Sequence, residues 1–256
     1  MIKKRIIPVL TLLEHKLVKT KKFTNPLIVG NLYNTSKIYN DSDADEIIIL
    51  NIDKKKENKI ENLIENLHQI TKYCFMPLAF GGGIRNIEHV DKLINNGSDK
   101  VILNSICFKD HKLISRISNK YGSQSIIISI DVKLNKLKGE YEIFSNNGET
   151  LEKINLKEHI KIVQEEGAGE LFINSIDNDG MKIGYDLKLV EIVKKNTIIP
   201  IISCGGAGNF SHIKDLFLNT DVSAAACGSL FNFGDNNPIR AKAYLQNYGI
   251  KFRSVK

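Results

Sequence analysis

A chain of 256 residues with 42% hydrophobic and 25% charged residues has the balance of a globular domain, and no apolar run nears the roughly 20 residues that span a bilayer. The net charge of +7 invites a nucleic-acid surface, but the lysines of "DKKKENK" and "KLNKLKGE" stand among Asp, Glu and Asn, with no aromatics interleaved for base stacking. The excess charge suits a mouth that attracts small anions, and four cysteines without CxxC spacing beside six histidines outside any ligand pattern argue against a zinc site and for a reduced, cytoplasmic setting.

The first element follows a basic start, "MIKK", which has the look of a secretory leader. Pro8 and the following "EHKLVKTKK" argue against that and for mature structure. The first strand is read as Arg5–Leu10, ending at Thr11 and leading into a loop with Lys19. Further strands are read at Glu46–Asn51, Pro77–Phe80, Lys100–Leu103, Ser125–Ile130, Glu170–Asn174, Pro200–Ser203 and Val222–Cys227. Each is a short, nearly continuous apolar run, as parallel strands buried on both faces require. Helical spacing fills the gaps: Ile87, Val90, Leu93 and Ile94 share one face, as do Phe210, Ile213, Leu216 and Phe217. "KLNKLKGEYEIFSNNGET" after the fifth strand reads as a polar hairpin insertion. Eight such units in this length predict a (β/α)8 barrel in one domain, 1–256.

The two halves repeat. "DEIIILNID" (Asp45–Asp53) matches "GELFINSID" (Gly169–Asp177) at an offset of 124, and "LNS" (Leu103–Ser105) matches "CGS" (Cys227–Ser229) at the same offset. "GGGIRNIEHVDKL" (Gly81–Leu93) matches "CGGAGNFSHIKDL" (Cys204–Leu216) at 123. Two half-barrels are expected, about 1–121 and 122–256, with Thr11 standing where the second half has Asp131.

Barrel chemistry gathers at the C-terminal ends of the strands. Those ends offer Thr11, Lys19, Asn51, Asp53, Gly83, Asn104, Ser105, Asp131, Asn174, Asp177, Asp179, Gly180, Gly206, Gly228 and Ser229. "FGGGIRN" and "CGGAGN" are Gly-rich turns opening helices, which aim main-chain N–H groups at an anion. Their pairing predicts a ligand with a phosphate at each end. Asp131 closes the apolar "SIIISID", where desolvation raises a carboxyl pKa toward general acid–base use; a salt bridge to Lys133 or Lys19 is the alternative. "DNDG" (Asp177–Gly180) is a plain turn or a ligand contact. At the strand starts, Arg5, Glu46, Lys100 and Glu170 form a set of two bases and two acids, either a structural plug or a functional ring.

Taken together, "KKRIIPVL", "GGGIRN", "YGSQSIIISIDVK", "SIDNDGMKIGYD", "PIISCGGAGN" and "GSLFNF" resemble the cyclase subunit of imidazole glycerol phosphate synthase over nearly the whole chain. The resemblance implies a glutaminase partner docked on the barrel floor, with Asp99 helping to dock it. It implies an ammonia gate of Arg5, Glu46, Lys100 and Glu170. It also implies a phosphorylated ligand at Gly83, Asn104, Gly180, Gly206, Gly228 and Ser229, positioned by Lys19 beside the catalytic Asp131. No metal or cofactor is called for. The family's other essential aspartate falls on Thr11, which does not ionise; Asn174 replaces a threonine, and Cys204 a serine. "PVLTLLEHKLVKTKKF" (Pro8–Phe23) is similar to the start of the glycosyl amidation-associated branch, which serves surface polysaccharides. That branch implies a sugar amidotransferase as a further partner and ammonia delivery for an acetamido sugar. The alternatives are the histidine-pathway cyclase itself, with Asp131 acting alone or with a compensating group such as Glu14 or His15, and a scaffold that only activates the glutaminase.

Overall fold

The computed structural model describes residues 3–53 and 59–252. The loop reading of "DKKKENK" therefore falls mostly outside the described residues. In chain order the elements are β1 (Arg5–Leu13), β2 (Lys16–Lys21), β3 (Thr24–Gly30), α1 (Leu32–Asp41), β4 (Ile47–Asn51), α2 (Lys59–Thr71), β5 (Leu78–Gly81) and α3 (Ile87–Asn95). Then come β6 (Lys100–Leu103), α4 (Lys112–Tyr121), β7 (Ile126–Asn135), β8 (Glu140–Ser145), β9 (Thr150–Leu151), α5 (Leu156–Glu165) and β10 (Glu170–Ser175). The chain ends with α6 (Leu187–Lys195), β11 (Ile201–Cys204), α7 (Phe210–Asn219), β12 (Ala224–Cys227), α8 (Ser229–Asn232) and α9 (Pro238–Gln246).

Strands β1, β4, β5, β6, β7, β10, β11 and β12 pair in parallel, and β12 pairs back on β1, closing the (β/α)8 barrel. Side chains alternate along each strand, so one phase faces the helices and the other the barrel axis. Ile7, Val9, Ile48, Ala79, Ile102, Ile127, Phe172, Ile202, Ala224 and Ala226 form the inner apolar cluster. Ile6, Leu10, Ile47, Ile49, Ile126 and Ile128 take the other phase and pack under the helices. Each such isoleucine, fully buried, stabilises the fold by about 1.5–3 kcal/mol before the entropy of ordering is subtracted. The helices present the expected stripes: α3 buries Val90 and Leu93, and α7 buries Ile213, Leu216 and Phe217.

Two departures bear on the mouth. β1 does not stop at Thr11 but runs to Leu13 and turns into β2, with Thr11 opposite Val18. The turn residues Glu14 and His15 both have positive φ, 47° and 63°. This is the conformation a two-residue hairpin turn needs, built here without the Asn-Gly signature that would have revealed it. A second turn with positive φ at Lys22 and Phe23 leads into β3, which is exposed at every residue but Val29. The expected loop is thus a three-stranded meander. The insertion after β7 is the hairpin expected, with β7 itself continuing to Asn135 against β8.

One buried group makes the barrel wall acid-sensitive. His159 on α5 stacks on Phe108 at 4.5 Å between ring centroids, and its Nε2 has no partner among the described residues. Burial pushes its pKa down to about 4. A base with a depressed pKa contributes stability above its ordinary range and loses it as pH falls toward the folded value. His159→Phe is therefore expected to match the wild type at pH 7.5 and to exceed it by up to about 3 kcal/mol near pH 4. Parallel melting curves across that range, with no divergence, would sink this.

Candidate functional site

The floor of the barrel is set by the first inward-facing position of four strands. Arg5, Glu46, Lys100 and Glu170 lie two residues before the inner-cluster residues Ile7, Ile48, Ile102 and Phe172, so all four point toward the axis. Arg5 donates to Glu46 at 2.8 Å and also pairs with Glu170; Lys100 donates to Glu46 at 2.9 Å and to Glu170 at 2.6 Å. Each acid thus touches both bases, and the ring is closed. Ser223 adds a hydroxyl 3.2 Å from the Arg5 guanidinium. Burial pushes the Glu46 carboxyl up despite its two cations, whereas at Glu170 the bonds from Arg5 and Lys100 overcome burial and hold it down. Glu46 Oε1 has no partner among the described residues. Asp99 lies exposed beside this floor, one oxygen accepting the Leu78 N–H at 2.8 Å.

At the mouth, Asp131 and Asn174 are neighbours in register on β7 and β10, both in the inward phase. Asn104 donates its amide to Asp131 Oδ2 at 3.0 Å, and the Ser129 hydroxyl faces Oδ1 at 3.4 Å. Burial, then the nearby Asp179 charge, pushes the Asp131 carboxyl up to about 7, against the pull of Ser129, Asn174 and Asn104. At neutral pH such a group can both take and give a proton. Neither lysine pairs with it: Lys133 donates to the Gly148 carbonyl at 3.1 Å, and Lys19 to the Val9 carbonyl at 2.6 Å. The salt-bridge alternative for Asp131 is therefore not what forms. Asn174 is 5% exposed, and its Oδ1 has no partner among the described residues. An acceptor left so costs about 1–3 kcal/mol.

Thr11 occupies the inward phase of β1 beyond Ile7 and Val9, half-buried. Glu14 and His15, the candidate substitutes for a missing carboxylate, stand exposed at the tip of the β1–β2 turn, outside the buried group around Asp131.

The two glycine turns have matching geometry. Asn86 and Asn209 cap α3 and α7 with φ near −154° and −155°, each accepting a main-chain N–H three residues on, from His89 and His212. Gly83 and Gly206 both have positive φ, 76° and 105°. A Cβ at Gly206 would sit 1.9 Å from the Gly184 carbonyl, so only glycine fits there. At the last strand end a Cβ on Gly228 would sit 2.5 Å from Lys19 Nζ, and Ser229 begins α8 directly after it. The meander thus brings the buried Lys19 ammonium against the Gly228 turn, and burial lowers its pKa. Ser105 is drawn the other way: its hydroxyl faces Asn104 Oδ1 at 3.3 Å and accepts the Asn146 N–H of the hairpin at 3.0 Å. Asp179 is also committed, accepting the Thr20 hydroxyl at 3.2 Å, while Gly180 packs on the Thr20 main chain and Asp177 accepts the Leu134 N–H at 2.8 Å. The "DNDG" turn therefore fastens both insertions to the mouth.

Residues 5–237 match the family described as "Histidine biosynthesis protein". The chain belongs to this family. A Pseudomonas aeruginosa protein provisionally named imidazole glycerol phosphate synthase subunit hisF2 is 42% identical over 91% of this chain and 92% of its own length. Imidazole glycerol phosphate synthase subunit HisF of Campylobacter concisus is 37% identical over 98% of each chain, and that of Chlorobium phaeobacteroides 36% identical over 99% of this chain and all of its own.

Within this histidine biosynthesis barrel, Ser129, Ser223 and Thr20 were missed from sequence. Ser129 had a signal: it is the one polar residue in the isoleucine run, in phase with Asp131. Ser223 and Thr20 had none, because their partners, Arg5 and Asp179, are 218 and 159 residues away.

Proposed function

We propose that this chain is the ammonia-receiving barrel subunit of a glutamine-dependent synthase of the imidazole glycerol phosphate synthase type. A glutaminase docks on the floor near Asp99, and ammonia passes the Arg5–Glu46–Lys100–Glu170 ring and the apolar interior. It meets a phosphorylated ligand held by main-chain N–H groups at Gly83, Gly206, Gly228 and Ser229, with Lys19 as counter-charge. The observation that carries this reading is the alternation along the inward phase: an ion ring at one end, isoleucine, alanine and phenylalanine between, and the Asp131–Asn104–Asn174 group at the other. Such an interior disfavours a bare ion far more strongly than neutral ammonia. The test is to mix the chain with its candidate glutaminase and glutamine. Faster glutamine hydrolysis with nitrogen appearing in a product is expected; the absence of both complex formation and acceleration would end the proposal.

The relatives' names point to histidine biosynthesis, so ring closure on a bisphosphate to imidazole glycerol phosphate is the first reading of the acceptor chemistry. They lend no support to surface-sugar amidation. One observation still favours that second reading: Thr11, in the inward phase of β1, has no ionisable group to set beside Asp131. With one carboxylate, ring closure is expected to run about 10²–10⁴ below a two-carboxylate site and to rise in Thr11→Asp. The check is growth of a histidine auxotroph that lacks the cyclase. Rescue by the wild type at normal expression supports ring closure; rescue only by Thr11→Asp counts against ring closure as the native task and leaves the acetamido-sugar reading, with a separate amidotransferase, standing.

A further inference from the structure

The polar groups that the mouth would offer a ligand are covered: Lys19, Ser129, Asp131 and Asn174 are all buried. A phosphorylated ligand therefore reaches Asp131 only when part of the mouth moves aside. The turn between β8 and β9 is placed to be that part. Its hairpin rises from β7, with Phe144 opposite Asp131 in register, but its tip does not stay beside β7. The Asn146 N–H is donated to Ser105 Oγ, past the end of β6, at 3.0 Å, and the Asn147 side-chain amide to the Ile52 carbonyl, past the end of β4, at 2.8 Å. A Cβ on Gly148 would lie 3.0 Å from the Phe23 ring of the meander and 3.3 Å from Ile176, past the end of β10. In the closed order of barrel strands β4 and β10 face each other, so a tip that touches the ends of both lies across the opening. Ser105 follows Asn104, and Ile176 lies two residues after Asn174, which puts the tip above the Asp131 group.

The meander also overhangs the mouth, but lifting it is the costlier motion. It would uncover Leu17, Val18 and the Lys19 ammonium, all buried, and break the Thr20 bond to Asp179. The hairpin tip hides less. Asn146, Glu149, Thr150 and Leu151 are exposed, and the hairpin's buried anchor, Ile143, belongs to β8. Segments with little apolar burial are the ones that open locally.

We infer that Asn146–Glu149 is a strap across the mouth that lifts to admit the acceptor ligand, with the Ser105 hydroxyl and the Ile52 carbonyl as its catches. Lifting breaks the bonds to both catches and the bond from Lys133 to the Gly148 carbonyl, and it leaves the β7–β8 ladder in place. The inference rests on the proposed function only for the nature of what enters.

Cys204 supplies a probe of opening that needs no ligand. It is the register partner of Asn174, buried in the inward phase, whereas Cys227 is buried on the helix side. Alkylation by iodoacetamide, read peptide by peptide in a mass spectrometer, reports local opening at Cys204 and global unfolding at Cys227. Where opening and closing outpace the reagent, the rate follows the population of the open form. Ser105→Ala and Asn147→Ala each remove one catch. Each is expected to speed Cys204 labelling about fivefold, the equivalent of one hydrogen bond, with Cys227 unchanged. Thr20→Val, which loosens the meander instead, is expected to change Cys204 labelling less than about twofold. Unchanged Cys204 labelling in both catch variants, equal acceleration at Cys227, or acceleration by Thr20→Val alone overturns the inference.

A staple tests the same motion in turnover. The bond between Asn146 and Ser105 keeps their Cα atoms within about 7 Å, near the upper end of the disulfide range. In Ser105→Cys/Asn146→Cys, product formation from free ammonium is expected to stop on oxidation and return on reduction. Equal turnover in the two redox states overturns the strap and leaves the proposed function standing. A wild type that labels as expected yet forms no ammonia-dependent product with either acceptor sinks the proposed function instead.

Discussion

Asp131→Asn is expected to lower ammonia-dependent product formation by about 10²–10⁴ while making the protein more stable above pH 7. The two effects have one cause. Burial raises the Asp131 pKa to about 7, so the folded protein resists ionising it. A carboxyl raised above its ordinary value contributes stability that is complete at low pH and lost as pH rises through the folded pKa. Asparagine does not ionise and escapes that loss. The variant and the wild type should therefore unfold alike near pH 4, and the variant should lead at pH 8 by on the order of 4 kcal/mol as an upper bound. Denaturant midpoints at the two pH values, beside product formation with glutamine as nitrogen source, check both halves. Unchanged turnover would favour the scaffold that only activates a glutaminase, since such a scaffold stimulates glutamine hydrolysis without needing Asp131.

Lys100→Met carries the second large effect. It leaves Glu46 and Glu170 sharing Arg5 alone, in a floor where Glu46 is almost fully enclosed. Removing one partner from a buried ionic group costs roughly 3–5 kcal/mol, because the remaining charge is stranded. Burial already raises the Glu46 pKa, so this carboxyl takes up a proton as pH falls and the penalty shrinks from pH 7.5 to pH 5. Pairing the change with Glu46→Gln rebalances the ring and should recover much of the stability. Functionally, glutamine-driven transfer should fall relative to transfer from free ammonium. An unchanged ratio of the two would mean that nitrogen does not travel through the ring.

The barrel was legible because its strands repeat one instruction eight times, a short apolar run ending in polar or glycine residues. The predicted limits of β6 coincide with those formed, and the other barrel strands share their cores. The floor ring was legible for the same reason: Arg5, Lys100 and Glu170 open strands in the inward phase, and Glu46 stands directly before β4 in the same phase. Asp131 could be read as a buried carboxyl at a strand end. Its support was legible in part: Asn104 and Asn174 stand among the strand-end residues and Ser129 breaks the isoleucine run in phase with it, but that Asn104 and Asn174 meet Asp131 is decided by strands pairing far apart in sequence. The meander was hidden because its turns use Glu14-His15 and Lys22-Phe23, residues that rarely take positive φ without help from their surroundings. Its fastening depends on Asp179, far along the chain, and local sequence holds no trace of it.

Strand β3 bears on how the protein behaves in a tube. Among the described residues it pairs only with β2, leaving its outer edge of N–H and C=O groups without a strand to bond, and Leu27 and Ile28 are 60% and 63% exposed. Such an edge is a template on which a second copy can add a strand, the first step of aggregation. Pro26 removes one donor from the row, and Lys21 and Lys22 place like charges beside it. The chain guards its mouth strand against self-stacking by charge and a missing hydrogen, so crowding and high salt, which screens lysines, are the conditions under which it precipitates first.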